Sequence, residues 1–568
     1  MNKEQKICQN CKFNFIIEPE DFDFYRKMKV PAPTFCPDCR RQRRLAWFNL
    51  VNLFHRNCDL CGERFISMYP KEAPYKVYCP PCFWSDKWDW RDYGRDYDFS
   101  RPFFEQWNEL LHKAPLLGLS INSTTTVGSP YNNHSADLKN CYLTFDSDFS
   151  EECAYAVLIT RSRGCFDCSM TMDCESCFDC MNLFKSSRCA GTRGNIRFCM
   201  DSFFLRDCDN CADCFMCANL KNAKYNFKNQ PMTKEAYEAK IAEYTLHTRS
   251  GYERAKREAE EFWKTLPPKP AYDTMSQNVT GSYIFNSKNC KECYDVTDCE
   301  NCRYCMSMYR KPQKDCWDVS GFGYNLSDAY EAGVTGEFSS NIRFCQETGL
   351  NLIDAEYCKN CLGGIGHFGS CSVKKGEYVI FNKQYTKEEY TEKRKKIIEH
   401  MDQMPYTDKK GNIYKYGEFF PLEFAPFPYN ITFANLFYPK SQEEIESQGS
   451  WLLKDEERKY APTMKSGDLP KSAKHVDESI LKETVECEKC SKGFKIIEME
   501  LRFLKKEGLP LPQECPFCRM HEKLTLWVDN MTLKGRICDK CGVEFKTHYS
   551  KERAPKIFCK ACYNKEYL

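Results

Sequence analysis

The feature that most constrains this chain is a spacing of cysteine pairs that occurs twice, once near each end. Each occurrence holds four CxxC pairs, with 24 residues between the first two pairs and 17 between the last two. The surrounding text also matches, with VPAPTFCPDCR at 30–40 against LPLPQECPFCR at 509–519. Self-similarity of this kind defines a domain plan. It predicts two copies of one tandem unit on either side of a different middle. The sixteen cysteines are Cys8, Cys11, Cys36, Cys39, Cys58, Cys61, Cys79, Cys82, Cys487, Cys490, Cys515, Cys518, Cys538, Cys541, Cys559 and Cys562.

These cysteines are expected to bind metal rather than to form disulfides. The start of the sequence has no apolar core of signal-peptide length, and no later stretch is apolar enough to span a bilayer, so we expect a cytoplasmic protein with no membrane contact. Thiols stay reduced in that compartment. Two CxxC turns supply the four thiolates of a closed tetrahedral zinc site, which leaves no position for water or substrate. The sequence therefore predicts about four structural zinc ions.

Pro37 and Pro516, each directly after the first cysteine of its pair, favour a helix that starts at that cysteine pair. With these residues, Cys8 to Arg44 and Cys487 to Arg519 resemble the treble-clef domains of the "probable zinc-ribbon" family. The architecture as a whole is similar to a family of long Cys-rich bacterial proteins, a likeness that implies no function.

The spacing allows two ways of sharing the zinc ions, and the treble-clef likeness favours the sequential one. In sequential sharing, Cys8, Cys11, Cys36 and Cys39 hold one ion. In the alternative, cross-braced sharing, Cys8 and Cys11 share an ion with Cys58 and Cys61, while Cys36 and Cys39 share one with Cys79 and Cys82.

The middle of the chain holds the other 23 of the 39 cysteines, in two related blocks. Their counts of 13 and 10 do not divide into sets of four ligands, and their separations of 9 to 12 residues predict a β-solenoid that stacks reduced cysteines inside. Further zinc sites, or an iron–sulfur cluster at Cys208 to Cys217, remain the alternatives. A charged helical run follows each block, at Thr233 to Leu266 and Thr386 to Met404, and is expected to cap it.

The predicted fold class is multidomain and β-rich with some α: paired treble-clef or zinc-ribbon modules at each end flank a duplicated, Cys-rich β-solenoid-like middle with capping helices. The predicted boundaries are 1–52 (treble clef), 53–90 (zinc ribbon), 91–139 (aromatic and acidic connector), 140–230 (solenoid unit 1), 231–282 (helix and linker), 283–385 (solenoid unit 2), 386–404 (helix), 405–485 (connector and linker), 486–532 (treble clef) and 533–568 (zinc ribbon).

Three functions are weighed from the sequence. The preferred one is a zinc-binding scaffold or adaptor whose terminal modules dock a protein partner. The second is RNA or single-stranded DNA binding, because a basic helix beside an aromatic residue can contact phosphates and stack on bases. The third is metal storage or thiol redox chemistry by the middle cysteines. No catalytic motif is present, so an enzyme is not expected. The residues of the basic helix are Arg40, Arg41, Arg43, Arg44 and Trp47.

Overall fold

The computed structural model describes residues 3–308, 312–323, 329–336, 338–454 and 461–567, and it is β-rich. Twelve α-helices lie in these ranges. They are α1 (Pro19–Met28), α2 (Pro37–Leu45), α3 (Pro80–Trp84), α4 (Phe103–Lys113), α5 (Lys234–Ala242), α6 (Arg249–Lys264), α7 (Lys387–Gln403), α8 (Phe433–Phe437), α9 (Gln442–Ser447), α10 (Glu498–Glu507), α11 (Pro516–Asn530) and α12 (Lys560–Tyr567).

The strands are short and numerous, and some of the sheets are parallel. They are β1 (Glu4–Ile7), β2 (Asn14–Ile17), β3 (Phe54–Asn57), β4 (Arg64–Ser67), β5 (Val77–Tyr78), β6 (Leu116–Leu117), β7 (Asn132–Asn133), β8 (Ala136–Lys139), β9 (Tyr142–Phe145), β10 (Asp148–Glu151), β11 (Ala154–Thr160), β12 (Ser169–Met172), β13 (Met181–Phe184), β14 (Ser187–Ala190), β15 (Ile196–Arg197), β16 (Met200–Phe203), β17 (Ala212–Phe215), β18 (Lys224–Phe227), β19 (Gln230–Pro231), β20 (Gly281–Phe285), β21 (Cys293–Thr297), β22 (Cys299–Glu300), β23 (Met306–Met308), β24 (Gln313–Lys314), β25 (Ser320–Phe322), β26 (Gly333–Thr335), β27 (Ser340–Arg343), β28 (Gly349–Glu356), β29 (Leu362–Phe368), β30 (Lys374–Ile380), β31 (Lys383–Gln384), β32 (Tyr406–Thr407), β33 (Ile413–Tyr414), β34 (Met464–Lys465), β35 (Val485–Glu486), β36 (Gly493–Phe494), β37 (Lys534–Ile537) and β38 (Glu544–Thr547).

The chain forms two compact units, and each unit is made of two separate stretches of sequence. Unit 1 comprises Met1–Leu119 and Asp273–Lys454, and unit 2 comprises Ser120–Tyr272 and Asp455–Leu568. The first Cys-rich block therefore lies in the unit that holds the C-terminal CxxC pairs, and the second block lies in the unit that holds the N-terminal pairs. The chain passes from one unit to the other three times.

Each Cys-rich block is a parallel ladder of short strands with a repeat of about twelve residues. In the first ladder (residues 121–231, unit 2), Val157 pairs with Ser169, which pairs in turn with Met181. In the second ladder (residues 277–384, unit 1), Ala355 pairs with His367, which pairs with Val379. Parallel pairing begins at Ile121 and at Gln277, upstream of the predicted solenoid boundaries at 140 and 283.

Left-handed backbone recurs at every third residue through much of both ladders, as at Asp167, Met170 and Asp173. Asn and Asp tolerate this conformation better than other residues with a side chain. Twelve of the 23 middle cysteines directly follow Asn or Asp. Pairs such as Asp167-Cys168 therefore place the turning residue at a corner and the cysteine just after it, where it is buried.

The ladder cysteines are buried thiols that donate to backbone carbonyl groups. The Sγ atom of Cys153 lies 3.3 Å from the carbonyl oxygen of Glu151 and 3.6 Å from that of Ser162, nine residues ahead. Burial raises the pKa of the Cys153 thiol, and it does the same for Cys208. Cys153 and Cys208 are therefore protonated at neutral pH and pack as small apolar groups with a weak donor.

Helices follow both ladders, but the first charged run is interrupted. Thr233 caps α5 and Thr248 caps α6, with the Thr248 hydroxyl accepting from the Gly251 N–H at 3.1 Å. The single helix expected at Thr233 to Leu266 is therefore two, because Thr245 adopts a left-handed conformation between them. The second run forms one helix, α7, which is closed at its start by a capping box of Thr386 and Glu389.

The predicted connector and linker, 405–485, is described in part, and residues 455–460 lie outside the described ranges. Across the ranges that are described, no helix combines the length and apolar character that a membrane crossing requires.

Candidate metal centres

Four groups of four cysteines bring their sulfur atoms together, with all Sγ atoms of a group within 4.8 Å of one another. The groups are sequential, as the treble-clef likeness favours, and not cross-braced. They are quartet 1 (Cys8, Cys11, Cys36, Cys39), quartet 2 (Cys58, Cys61, Cys79, Cys82), quartet 3 (Cys487, Cys490, Cys515, Cys518) and quartet 4 (Cys538, Cys541, Cys559, Cys562).

Each quartet is built from a tight CxxC turn, which we call the knuckle, and a second pair at the start of a helix. In quartet 4 the Cys538 N–H donates to the Val543 carbonyl and the Gly542 N–H to the Cys538 carbonyl, which closes the knuckle. Gly542 has a φ of 74°, which glycine adopts without strain. The helices α2, α3, α11 and α12 then begin at or directly after the third cysteine of their quartet.

Backbone N–H groups point at the first cysteine of every quartet. The N–H of the third cysteine donates to its sulfur at 3.2 to 3.3 Å in all four. Burial opposes ionisation of Cys58, yet the N–H groups of Cys61, Cys79 and Leu60 lower its pKa to about 7. The same balance lowers the pKa of Cys487 to about 7 and of Cys538 to about 6. Thiolate is the form that binds metal.

The distances between sulfur atoms match a tetrahedral metal site. Four thiolates at about 2.3 Å from a zinc ion lie about 3.8 Å from one another. The pair Cys11–Cys36 is 3.7 Å apart, Cys490–Cys515 3.8 Å and Cys541–Cys559 3.7 Å. The quartets can therefore hold four metal ions, and a complete set of four sulfurs suits a closed structural site.

The middle cysteines are arranged differently. Within the described ranges, the four quartets are the groups of three or more ligand atoms that meet the same distance limit. The segment Cys208 to Cys217, considered above for an iron–sulfur cluster, does not form such a group. Its cysteines are spread along the first ladder, where Cys208 and Cys214 donate to backbone carbonyls.

The helix after quartet 1 places its arginines inside unit 1. Arg40, Arg43 and Arg44 are at most 3% exposed, and Trp47 is fully buried. Only Arg41 is partly accessible, and it pairs with Asp38 at 2.9 Å.

The partners of these arginines are acidic residues of the second ladder and of the segment after α7. Arg40 Nη2 donates to Asp318 at 3.2 Å. Arg43 Nη2 donates to Glu331 at 2.8 Å and to Glu418 at 3.0 Å. The helix α2 is thus held against the ladder by charge-assisted hydrogen bonds, which are stronger than neutral ones.

The predicted nucleic-acid surface is therefore corrected. Arg44 also points inward, donating to Ser320 at 3.0 Å and to Glu331 at 3.3 Å. The Trp47 ring packs against Phe420 at 4.9 Å between centroids. Side chains that are buried and already paired with carboxylates cannot contact a phosphate or stack on a base in this arrangement.

Quartet 3 is held against the first ladder in the same way within unit 2. Arg519, which directly follows the quartet, donates to Asp167 and, at 2.9 Å, to Glu500 of α10. One helical turn later Lys523 pairs with Asp179. Asp167 and Asp179 are twelve residues apart, so the two basic residues of α11 match two successive repeats of the ladder.

A stacked aromatic pair accompanies each of these contacts. Phe24 of α1 lies 3.8 Å from Trp317 between ring centroids, with the planes 14° apart. Phe503 of α10 lies 4.3 Å from Phe166, with the planes 18° apart. In both ladders the aromatic residue directly precedes the acidic one, in Trp317-Asp318 and in Phe166-Asp167.

Sequence reasoning missed the acidic residues that receive these helices. A signal was present in the sequence, because an acidic residue recurs one repeat apart in each ladder, at Asp318 and Glu331 and at Asp167 and Asp179. The match between these acidic residues and basic residues four apart on a helix can be recognised only when the ladder repeat is known.

Comparison with known proteins adds no further assignment. No family model matches the chain, and no curated protein matches it.

Proposed function

We propose that this protein is a zinc-stabilised scaffold and that the exposed apolar residues beside the knuckle of quartet 1 dock a protein partner. The observation that carries the scaffold proposal is the set of four sulfur quartets with tetrahedral spacing. Two of them are attached through their helices to a parallel ladder of the same unit. The knuckle–hairpin–helix order supports the treble-clef likeness, and the twelve-residue register supports a β-solenoid for each ladder.

In this proposal the zinc ions act as structural ties. Each quartet joins a hairpin to a helix, and in quartets 1 and 3 that helix carries the basic residues that bind the ladder. The N–H groups directed at the first cysteine favour its thiolate and so favour metal at neutral pH. The ladders supply long, regular bodies whose corners are fixed by left-handed residues.

The docking face follows from which side of quartet 1 is free. The side formed by α2 is buried against the ladder. The knuckle residue Gln9 exchanges hydrogen bonds with the Ile413 backbone, and Asn10 accepts one from Lys410. The β1–β2 hairpin and the residues on either side of the knuckle remain exposed. Ile7 is 67% exposed and Phe13 is 76% exposed, directly before and two residues after the CxxC pair. Neighbouring exposed apolar residues of this size are typical of interaction surfaces.

Elemental analysis of anaerobically purified protein tests the scaffold part. We expect about four zinc ions per chain and no stoichiometric iron, because each of the four quartets suits one closed zinc site. More metal than the quartets can hold, or iron, would shift the chemistry to the ladder cysteines and contradict the scaffold.

A nuclease-treated pull-down tests the docking part. The double variant Ile7→Ser and Phe13→Ser is expected to lose proteins that the unmodified chain retains, since it removes the apolar contact without touching the quartet. The matched control is Ile537→Ser with Val543→Ser, which changes the same two positions beside quartet 4. Equal recovery by the unmodified chain and the quartet 1 variant would reject this docking face.

A further inference from the structure

The segment around quartet 4 is the most basic of the four CxxC regions apart from the buried arginines of α2. Residues 533–568 carry nine basic and four acidic side chains. The equivalent residues around quartet 2, 53–88, carry five basic and four acidic side chains. Because the two segments share their cysteine spacing and local hydrogen bonds, the added charge is not needed to build the quartet.

Four of the six substitutions that add a basic residue lie at exposed positions. Lys540 and Lys546 stand where the quartet 2 segment has Leu60 and Ile66. Residues that serve the local structure are the same in both segments. Arg536 donates inward to the Tyr549 and Ala554 carbonyls, as its counterpart Arg56 does to the carbonyls of Pro70 and Tyr75.

Two lysines flank an exposed apolar knuckle. Ile537 is 59% exposed and Val543 is 49% exposed, on either side of the Cys538–Cys541 turn. Lys540 and Lys556 both lie 5.5 Å from the ring centroid of Phe558, so they flank the knuckle together. Lys546 is on the outward face of the β37–β38 hairpin, which also carries Ile537.

Three of these cations are exposed and carry no ion pair within the described part of the chain: Lys546, Lys551 and Lys556. The nearby acidic groups act on other cations. Glu566 pairs with Lys540. The pKa of Glu552 is lowered by hydrogen bonds from its own backbone N–H and from Ser550, and then by the charges of Arg536 and Lys534. Glu544 is exposed on the hairpin. The three lysines are thus available to an anionic ligand.

We propose that this surface, Ile537, Lys540, Val543, Lys546, Lys551 and Lys556, binds the phosphodiester backbone of a nucleic acid. A repeating phosphate chain can bridge cations spread over a knuckle and a hairpin, whereas a single small anion would meet only one or two of them. Lysine contacts to phosphate carry no base information, so binding is independent of sequence and falls steeply with salt. The aliphatic pair at the knuckle contacts sugars or base faces.

The test uses the full-length zinc-loaded protein with fluorescent 20-nucleotide poly(U), poly(dT) and a mixed-sequence DNA duplex. We expect saturable binding at 50 mM salt, with poly(U), poly(dT) and the duplex ranked to identify which form of the backbone fits. The triple variant Lys546→Gln, Lys551→Gln, Lys556→Gln should weaken binding roughly 10- to 100-fold. It should also reduce the slope of log K against log salt by about 2, from three lost phosphate contacts.

Two controls keep this result specific. The triple variant Lys71→Gln, Lys76→Gln, Lys395→Gln removes the same charge from exposed positions of unit 1 and should change affinity by less than about 2-fold. Replacing Lys546, Lys551 and Lys556 by Arg should restore binding, because the charge is retained. Zinc content equal to that of the unmodified chain verifies that each variant is folded around quartet 4.

Three outcomes would overturn the proposal. The first is no saturable binding to any of the three probes at 50 mM salt. The second is an equal loss in the unit 1 control, which would assign binding to overall charge. The third is tighter retention on phosphatidylserine vesicles than on nucleic acid, which would assign the surface to a membrane headgroup.

Discussion

The two ladder-bound helices, α2 in unit 1 and α11 in unit 2, bind their ladders at the same helix positions but differ in charge at the position between them. Arg40 and Arg519 occupy equivalent positions after their quartets, and each pairs with an Asp of its ladder. Arg44 and Lys523 follow four residues later and reach the next repeat. The four-residue spacing on the helix is the same in both units although Lys523 stands where α2 has Arg44, so the repeat length of the ladder is the constraint.

The position between them is reversed in sign. Arg43 of α2 pairs with Glu418, from the segment that follows α7, at 3.0 Å. Its counterpart on α11 is Glu522, which lies 3.7 Å from Lys256 of α6. A different segment covers the helix in each unit, and the helix residue at this position has the charge opposite to that of its partner in the covering segment. The contact to the ladder is common to both units, and the contact to the cover is specific to each.

The largest expected effect comes from removing one quartet at a time. In Cys8→Ser with Cys11→Ser, the zinc content should fall from about four to about three per chain. Unit 1 should lose stabilisation on the order of 10 kcal/mol, the scale of structural zinc binding. Hydrogen exchange should then increase in α2 and the second ladder. The variant Cys487→Ser with Cys490→Ser should affect α11 and the first ladder instead. If hydrogen exchange rose equally in both ladders in either variant, the idea that each quartet stabilises only its own unit would be refuted.

A charge swap tests whether the covering segment determines the sign of the charge at the helix position of Arg43 and Glu522. Arg43→Glu places a carboxylate beside Glu331 and Glu418 and should destabilise unit 1 by about 3–5 kcal/mol, the cost of an unpaired buried charge. Adding Glu418→Arg should recover at least about 1 kcal/mol, because it recreates the arrangement of Glu522 and Lys256.

The swap is measured by urea unfolding of zinc-saturated protein, with exposed Lys395→Glu as a control of little effect. If the destabilisation of the double variant equals the sum of the destabilisations of its single variants, the covering segment does not determine the sign of that charge.

The smallest effect is a pH dependence specific to unit 2. Burial raises the pKa of Asp167 to about 6, although the Arg519 charge opposes the shift. In an unfolded chain Asp titrates near 3.9. Between these values the folded state holds a proton that the unfolded state has lost, so this group's contribution to stability falls as pH rises from about 4 to about 6.

Asp167→Asn should remove that contribution. Between pH 5.0 and 6.5, with zinc added, the unmodified chain should lose about 1 kcal/mol of stability relative to the variant as pH rises. Thermal unfolding at several pH values measures this difference. A constant difference across the range would contradict the assignment.

The sequence was most informative where chemistry is local. The CxxC spacing identified sixteen cysteines that the structure brings together in sequential quartets, and Thr386 marked the start of α7. It failed at Arg40, whose partner Asp318 is 278 residues away. When the distant carboxylates that pair with it are unknown, a basic helix is interpreted as an exposed surface.

The cysteine ladders lie between these two cases. Burial of cysteines as small apolar groups followed from their irregular counts. The twelve-residue register and the left-handed corners depend on Asn and Asp at positions such as Asn140 and Asp173, which the sequence displays as Asn-Cys and Asp-Cys pairs. The partition into units could not be predicted from composition, because each quartet region could have packed against its nearer ladder.

The interleaving of the two units has a consequence for synthesis on the ribosome. Arg40 cannot meet Asp318 until 278 further residues have been made, which takes roughly 15 to 55 s at 5–20 residues per second. During that interval α2, with its arginines and Trp47, has no ladder to cover it. No single cut of the chain separates the units, so fragments made by truncation carry an incomplete unit, and nascent chains are exposed to chaperones and proteases in the same state.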